Sequence, residues 1–176
     1  VRILDGGTIE WTAFNELETE APTPEPGTVT LKEADAAHFV EWTAVYDDVV
    51  SRRDPNVVLL DARPHAMYTG EDGGHAVAAG HIPGATNIVS LDGVDGQSQK
   101  WKPDATLADM YSAIPKDRTI YAYCHDGFRM GLAYLQLKHL GYEDVRLYNG
   151  GWSHWGNTQT LPVVKGDAPL DEAFAL

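Results

Sequence analysis

Cys124 is the one cysteine in the chain, and it stands in the run Tyr123-Cys124-His125-Asp126-Gly127-Phe128-Arg129. A lone thiol excludes an internal disulfide and a thiolate-rich zinc site. Two readings remain open: a small buried hydrophobe, or a nucleophile. The polar neighbours His125, Asp126 and Arg129 favour the second and imply an open mouth. Gly127 permits the left-handed backbone that a tight ring requires. A ring of inward-pointing amides followed by a helix start is an anion cradle, and it favours thiolate over thiol. The same cradle would hold a charged group on sulfur, either a persulfide or a covalent phosphate. His65, His75, His81 and His125 lack ligand spacing, so neither a metal nor another cofactor is expected.

The elements that must position this loop follow from periodicity. Val57-Val58-Leu59-Leu60-Asp61 is a short apolar run ending in a charge, as in a buried parallel strand. Ala85 to Val89, Thr119 to Cys124 and Val145 to Tyr148 read as three more strands. Apolar residues three and four apart predict helices over 34–51, 106–114 and 128–140, the last stopped by Gly141. A Gly- and His-rich loop fills 69–80. Strands alternating with helices give an α/β fold with a central, mostly parallel sheet flanked by helices, three layers in all. Cys124 then falls at the carboxyl end of a strand, where open α/β sheets gather their reactive groups.

The start of the chain carries an echo. Val1-Arg2-Ile3-Leu4-Asp5-Gly6-Gly7-Thr8-Ile9-Glu10-Trp11 matches Val145-Arg146-Leu147-Tyr148-Asn149-Gly150-Gly151-Trp152-Ser153-His154-Trp155 at Val, Arg, both glycines and the last Trp, 144 residues apart. That offset is domain-sized, so a tandem duplication is the economical reading, with 1–15 as the tail of a preceding copy. Acid and alternating proline over 16–29 read as an extended linker. The complete domain is expected at 30–160, and 161–176 as a surface tail. Asp plus Glu outnumber Lys plus Arg by 26 to 13, a net charge of −13 that repels phosphate backbones and excludes nucleic acid as the main partner. No apolar run approaches the ~20 residues that cross a bilayer, so no membrane partner is expected. A single thiol fits the cytoplasm or the periplasm alike.

Four ordered strings resemble the rhodanese family of sulfurtransferases: Leu59-Leu60-Asp61-Ala62-Arg63-Pro64, Gly80-His81-Ile82-Pro83-Gly84-Ala85-Thr86-Asn87-Ile88, the Cys124 loop, and Gly150-Gly151-Trp152-Ser153-His154-Trp155-Gly156. They are most similar to the C-terminal, catalytic domain of two-domain thiosulfate or mercaptopyruvate sulfurtransferases. The resemblance implies a rhodanese-like fold and no cofactor. It implies that Cys124 takes a sulfane sulfur from a small-molecule donor and passes it to an acceptor such as cyanide or a thiol. It makes His125, Asp126, Gly127, Phe128 and Arg129 the substrate cradle, Asp61, Arg63 and His81 its support, and a first rhodanese domain a contacting partner. Related phosphatases and arsenate reductases place five residues between Cys and Arg. Here four intervene, and the narrower ring favours sulfur over a phosphate ester. Two positions depart from the family pattern. Asp126 stands where thiosulfate-specific members carry a basic residue, and Met67 where some members place a substrate-binding Arg. A non-catalytic rhodanese module that binds a partner or senses redox state is the alternative.

Overall fold

The computed structural model describes residues 3–31, 33 and 35–170. Val1 and Arg2 of the echo, and 171–176 of the expected tail, lie outside the described residues. The core is one sheet in which every pair is parallel, in the order β2-β1-β3-β4, where β1 is Val57–Asp61, β2 is Ala85–Asn87, β3 is Thr119–Tyr123 and β4 is Val145–Leu147. β1 runs alongside β3 from Val57 opposite Thr119 to Asp61 opposite Tyr123, which sets the carboxyl ends of these strands level.

Side chains of a strand alternate between faces, and this parity sorts the core. Leu59, Tyr121 and Tyr123 point to one side, where they meet Val45, Val49, Tyr68, Tyr148, Trp152 and Trp155. Leu60, Ile120, Ala122 and Cys124 point to the other, against Met130, Ala133 and Leu137. The first face is covered by α2 (Trp42–Val45, continued as a wide turn over Tyr46–Ser51), α3 (His65–Thr69) and α6 (Gly151–Trp155). The second is covered by α4 (Asp104–Met110) and α5 (Phe128–His139), and a short helix α1 (Gly7–Thr12) lies outside the sheet.

The expected helix over 34–51 does not hold for its first half. Phe39 bridges to Leu147, and the Val40 amide donates to the Leu147 carbonyl at 3.0 Å. The open edge of β4 recruits that backbone as a pairing partner, so the helix begins only at Trp42. The helix expected at 106–114 sits earlier, opening at Asp104 after Pro103; Pro115 biases Ile114 away from helical backbone. Residues 161–170 are more than a surface layer. Val164 is fully buried, its backbone exchanges hydrogen bonds with His81, and the Trp155 indole donates to the Pro162 carbonyl.

Candidate active site

β3 delivers Cys124 to the level carboxyl edge of the sheet, and its parity aims the side chain at α5. The chain then turns through His125, Asp126 and Gly127, the last at φ 111°, and enters the twelve-residue α5 at Phe128. The Gly127 amide donates to Cys124 Sγ at 3.1 Å. α6 fixes the outer side of the loop. The Trp152 amide donates to the Cys124 carbonyl at 2.8 Å, and the Ser153 amide to the His125 carbonyl at 2.9 Å. In a trans peptide the C=O and N–H point in opposite directions. With both carbonyls drawn toward α6, the His125 and Asp126 amides are turned away from α6. Gly151 has to be glycine for this contact. It sits at φ 53°, and a Cβ there would lie 2.6 Å from the Cys124 carbonyl oxygen and 2.7 Å from that of His125.

Asp61 and Arg63 form a fully buried pair at the end of β1. The Arg63 guanidinium donates to both Asp61 carboxylate oxygens, at 2.6 Å for the nearest, and to the Gly80 carbonyl at 2.7 Å. Burial works against the Arg63 charge, but the Asp61 charge and hydrogen bonds outweigh it and hold the guanidinium pKa above its ordinary value. The guanidinium lies over the Trp152 ring at 4.4 Å, so the pair reaches the Cys124 loop through Trp152. His81 is placed differently. Its nitrogens face the Tyr68 and Ala168 carbonyls at 2.9 and 3.1 Å, and its ring stacks on Tyr68 at 3.7 Å. It therefore joins α3 to the C-terminal segment. Ser90, which the sequence reading did not single out, donates to the Arg129 carbonyl at 3.0 Å and holds the first turn of α5. Its sequence neighbourhood carries no distinguishing signal.

The expected open mouth is not found at the sulfur itself. Cys124 is fully buried, because strand parity drives it into the same cluster as Met130 and Ala133. Asp126 and Phe128 are exposed, while His125 and Arg129 are half-buried. Gly74 and His75 of the 69–80 loop lie beside the His125 ring. A Cβ on Gly74 would lie 3.3 Å from His125 Cε1 and 3.5 Å from Met67 Cε, and His75 meets the His125 ring edge-on at 6.4 Å. Met67, in α3, thus lies beside Gly74. Burial lowers the His125 pKa against the opposing charge of Asp126, and Arg63, His75 and Arg129 lower it further, so the ring is neutral near pH 7. Nδ1 of His125 and Nε of Arg129 are buried with no hydrogen-bond partner among the described residues. A cavity of about 770 Å³ lies to one side, between Phe39, Trp42, Tyr148 and Asn149.

Comparison with known proteins places this geometry. The Rhodanese-like domain family matches residues 47–158. The chain belongs to the rhodanese family. A sulfur carrier protein of Thermus thermophilus is 31% identical over 180 residues, covering 95% of this chain and 62% of its own length. The thiosulfate sulfurtransferase of Azotobacter vinelandii is 34% identical over 163 residues, covering 91% and 58%. This rhodanese chain therefore spans about three-fifths of the curated relatives it matches. The fold is also that of part of the anaerobic ergothioneine biosynthesis enzyme from Chlorobium limicola, solved with its natural substrate trimethyl histidine. There the TM-score is 0.80 at 22% identity, over 94% of this chain and 41% of that one.

Proposed function

We propose that this rhodanese chain is a sulfurtransferase that carries a sulfane sulfur on Cys124. The observation that supports it most directly is the Gly127 amide donating to Cys124 Sγ, inside a loop whose Cys124 and His125 carbonyls are held by α6. Deprotonated Cys124 attacks the outer sulfur of a thiosulfate-like donor. The donor S–S bond breaks, sulfite leaves with the bonding pair, and Cys124 holds a persulfide. An acceptor, cyanide or a thiolate, then attacks the outer sulfur, and the Cys124 sulfur leaves as thiolate. This is covalent, two-stage catalysis. The amides of residues 125–129 hold the anionic persulfide as an oxyanion hole holds oxygen. Asp61 and Arg63 position Trp152 and through it the loop. The names of the relatives, a sulfur carrier and a thiosulfate sulfurtransferase, support the same chemistry.

A second reading draws on the burial of Cys124: a rhodanese module that binds a partner or responds to oxidation without turning over. Mass spectrometry separates the two. Under the proposal, thiosulfate adds one sulfur, about 32 Da, to Cys124, cyanide removes it as thiocyanate, and Cys124→Ser does neither. Absence of the adduct across several sulfane donors, with the fold intact, assigns the chain to the binding reading.

A further inference from the structure

The cavity between Phe39, Trp42, Tyr148 and Asn149 is not used by the sulfur chemistry. It opens just past the carboxyl end of β4, the edge where open α/β sheets take their ligands. Its volume of about 770 Å³ is that of a small-molecule site. Phe39 and Trp42 come from the segment that opens α2, Tyr148 and His154 from the segment that opens and forms α6. Gly150 lets the second pair close up. A Cβ there would lie 2.9 Å from Tyr148 Cε2 and 3.0 Å from His154 Cβ, so a larger residue would push the tyrosine ring off His154, whose Nδ1 the hydroxyl meets at 2.6 Å. Phe39 and Trp42 stay 54% and 39% exposed, an aromatic surface left uncovered within the molecule. Asn149 lines the same space and also borders the Cys124 loop, since a Cβ on Gly127 would lie 3.6 Å from Asn149 Oδ1.

The charge of the lining decides what fits. Asp35 and Glu41 line the cavity, and among the described residues no Lys or Arg does. Glu41 precedes α2 without capping it, and among the described residues its carboxylate has no hydrogen bond or ion pair. Burial and the charge of Glu41 together raise the Tyr148 pKa, so that carboxylate is felt across the cavity. Aromatic faces attract a cation through the ring quadrupole, and the two carboxylates attract it through their charge and repel an anion. A second cavity, between Ile3, Asp5, Trp101, Leu135 and His139, also joins acids to aromatic rings, but its acids are engaged. Asp104 pairs with His139 at 2.9 Å, Asp5 accepts the Trp101 amide at 2.9 Å, and Lys102 adds a positive charge. We propose that the cavity beside β4 binds a small organic cation, an ammonium group on an aromatic body, with Glu41 answering the charge and Phe39, Trp42 and Tyr148 enclosing the ring. The occupant sits one side chain, Asn149, away from the loop that carries Cys124. The inference stands on this cavity and is independent of the sulfur chemistry.

Isothermal titration calorimetry near neutral pH tests this with phenylethylammonium as the probe, and with phenylethanol and phenylpropionate as its neutral and anionic counterparts. One cation per chain is expected, bound at least tenfold more tightly than the alcohol, with no binding of the carboxylate. Glu41→Gln should weaken the cation at least fivefold and leave the alcohol unchanged. Trp42→Ala should weaken both. Cys124→Ser should bind as the unaltered chain does, whatever its sulfur transfer. Glu41 is exposed, so its substitution keeps the fold, which circular dichroism checks. In amide NMR spectra the cation should shift Asn149 and Gly150 and leave Trp101 and Leu135 in place. The proposal is overturned if cation and alcohol bind equally, if Glu41→Gln changes nothing, if the shifts fall on Trp101 and Leu135 instead, or if none of the three probes binds in the millimolar range.

Discussion

Gly151 lies so close to Cys124 that one added methyl group would sit 2.6 Å from the Cys124 carbonyl oxygen. The obstacle is backbone, which cannot swing aside as a flexible side chain can, and the left-handed φ of 53° adds strain of its own. Gly151→Ala is expected to push α6 away from the loop, breaking the Trp152 and Ser153 amide bonds and freeing the peptides they orient. A loss of about 1–3 kcal/mol follows from backbone strain of this kind. Sulfur transfer should fall further than stability does, at least tenfold. Urea unfolding and thiocyanate formation measured on the same preparation check both. Retained activity with lowered stability would show that α6 does not orient the loop.

The Asp61–Arg63 pair gives a second prediction. Both groups are buried and each answers the other's charge, so removing one partner leaves an uncompensated ion, at a cost of about 3–5 kcal/mol. Asp61→Leu and Arg63→Met are each expected to cost that much. Asp61→Leu combined with Arg63→Met should cost less than the sum of the two, because neither charge remains. Denaturant midpoints of the four proteins form the cycle. Arg63 also lies over the Trp152 ring, so Arg63→Met should loosen the loop even where the double variant folds.

Much of this frame was legible in the sequence, and the exceptions have identifiable causes. β1 occupies the expected residues, and β3 and α5 each end one residue before the expected boundary, because unbroken apolar runs and a leucine repeat leave little freedom. Phe39 misled because its apolar character fits a helix face as well as an edge bridge; the pairing with Leu147 is long-range and leaves no local mark. The Cys124 loop was legible as a ring from Gly127 and the strand-to-helix switch. The burial of its sulfur was not, since that depends on strand parity and on packing against Met130 and Ala133 of α5. The double glycine at 150–151 was visible as a motif, but only coordinates show that it faces the Cys124 carbonyl.

Acid should weaken the fold through two histidines. Burial lowers the pKa of His125, with Arg63, His75 and Arg129 pushing the same way, and burial also lowers that of His81. In the unfolded chain both titrate near the ordinary value of about 6.5. As pH falls through that value the unfolded chain binds protons that the fold refuses, so stability declines until the lower folded pKa values are passed. His65 acts in the opposite sense. Its raised pKa, led by the Asn87 hydrogen bond, gives stability that is present in acid and lost as pH rises through the folded value. Its exposure keeps that contribution small. The urea midpoint is therefore expected to be lower at about pH 5 than at about pH 7.5, and His125→Gln should reduce the difference. A midpoint that rises on acidification would contradict the assignment.

Asp126 is exposed on the loop that holds Cys124, and its charge opposes any anionic donor. Two unit charges 4 Å apart interact by about 1 kcal/mol in water and by about 4 kcal/mol near a protein surface. Asp126→Lys replaces repulsion with attraction, so kcat/KM for thiosulfate is expected to rise by about tenfold at low salt, a modest share of that range. The change should appear mainly in KM, because the charge meets the donor on approach and does not touch the breaking S–S bond. Raising ionic strength should shrink the gain, since the screening length is about 10 Å at 0.1 M salt. Asp126→Asn removes the repulsion without adding attraction and should fall between the two. Initial rates with thiosulfate and cyanide across a salt series check all three. A kcat effect without a KM effect would mean that Asp126 acts on the chemistry of the loop and not on the approach of the donor.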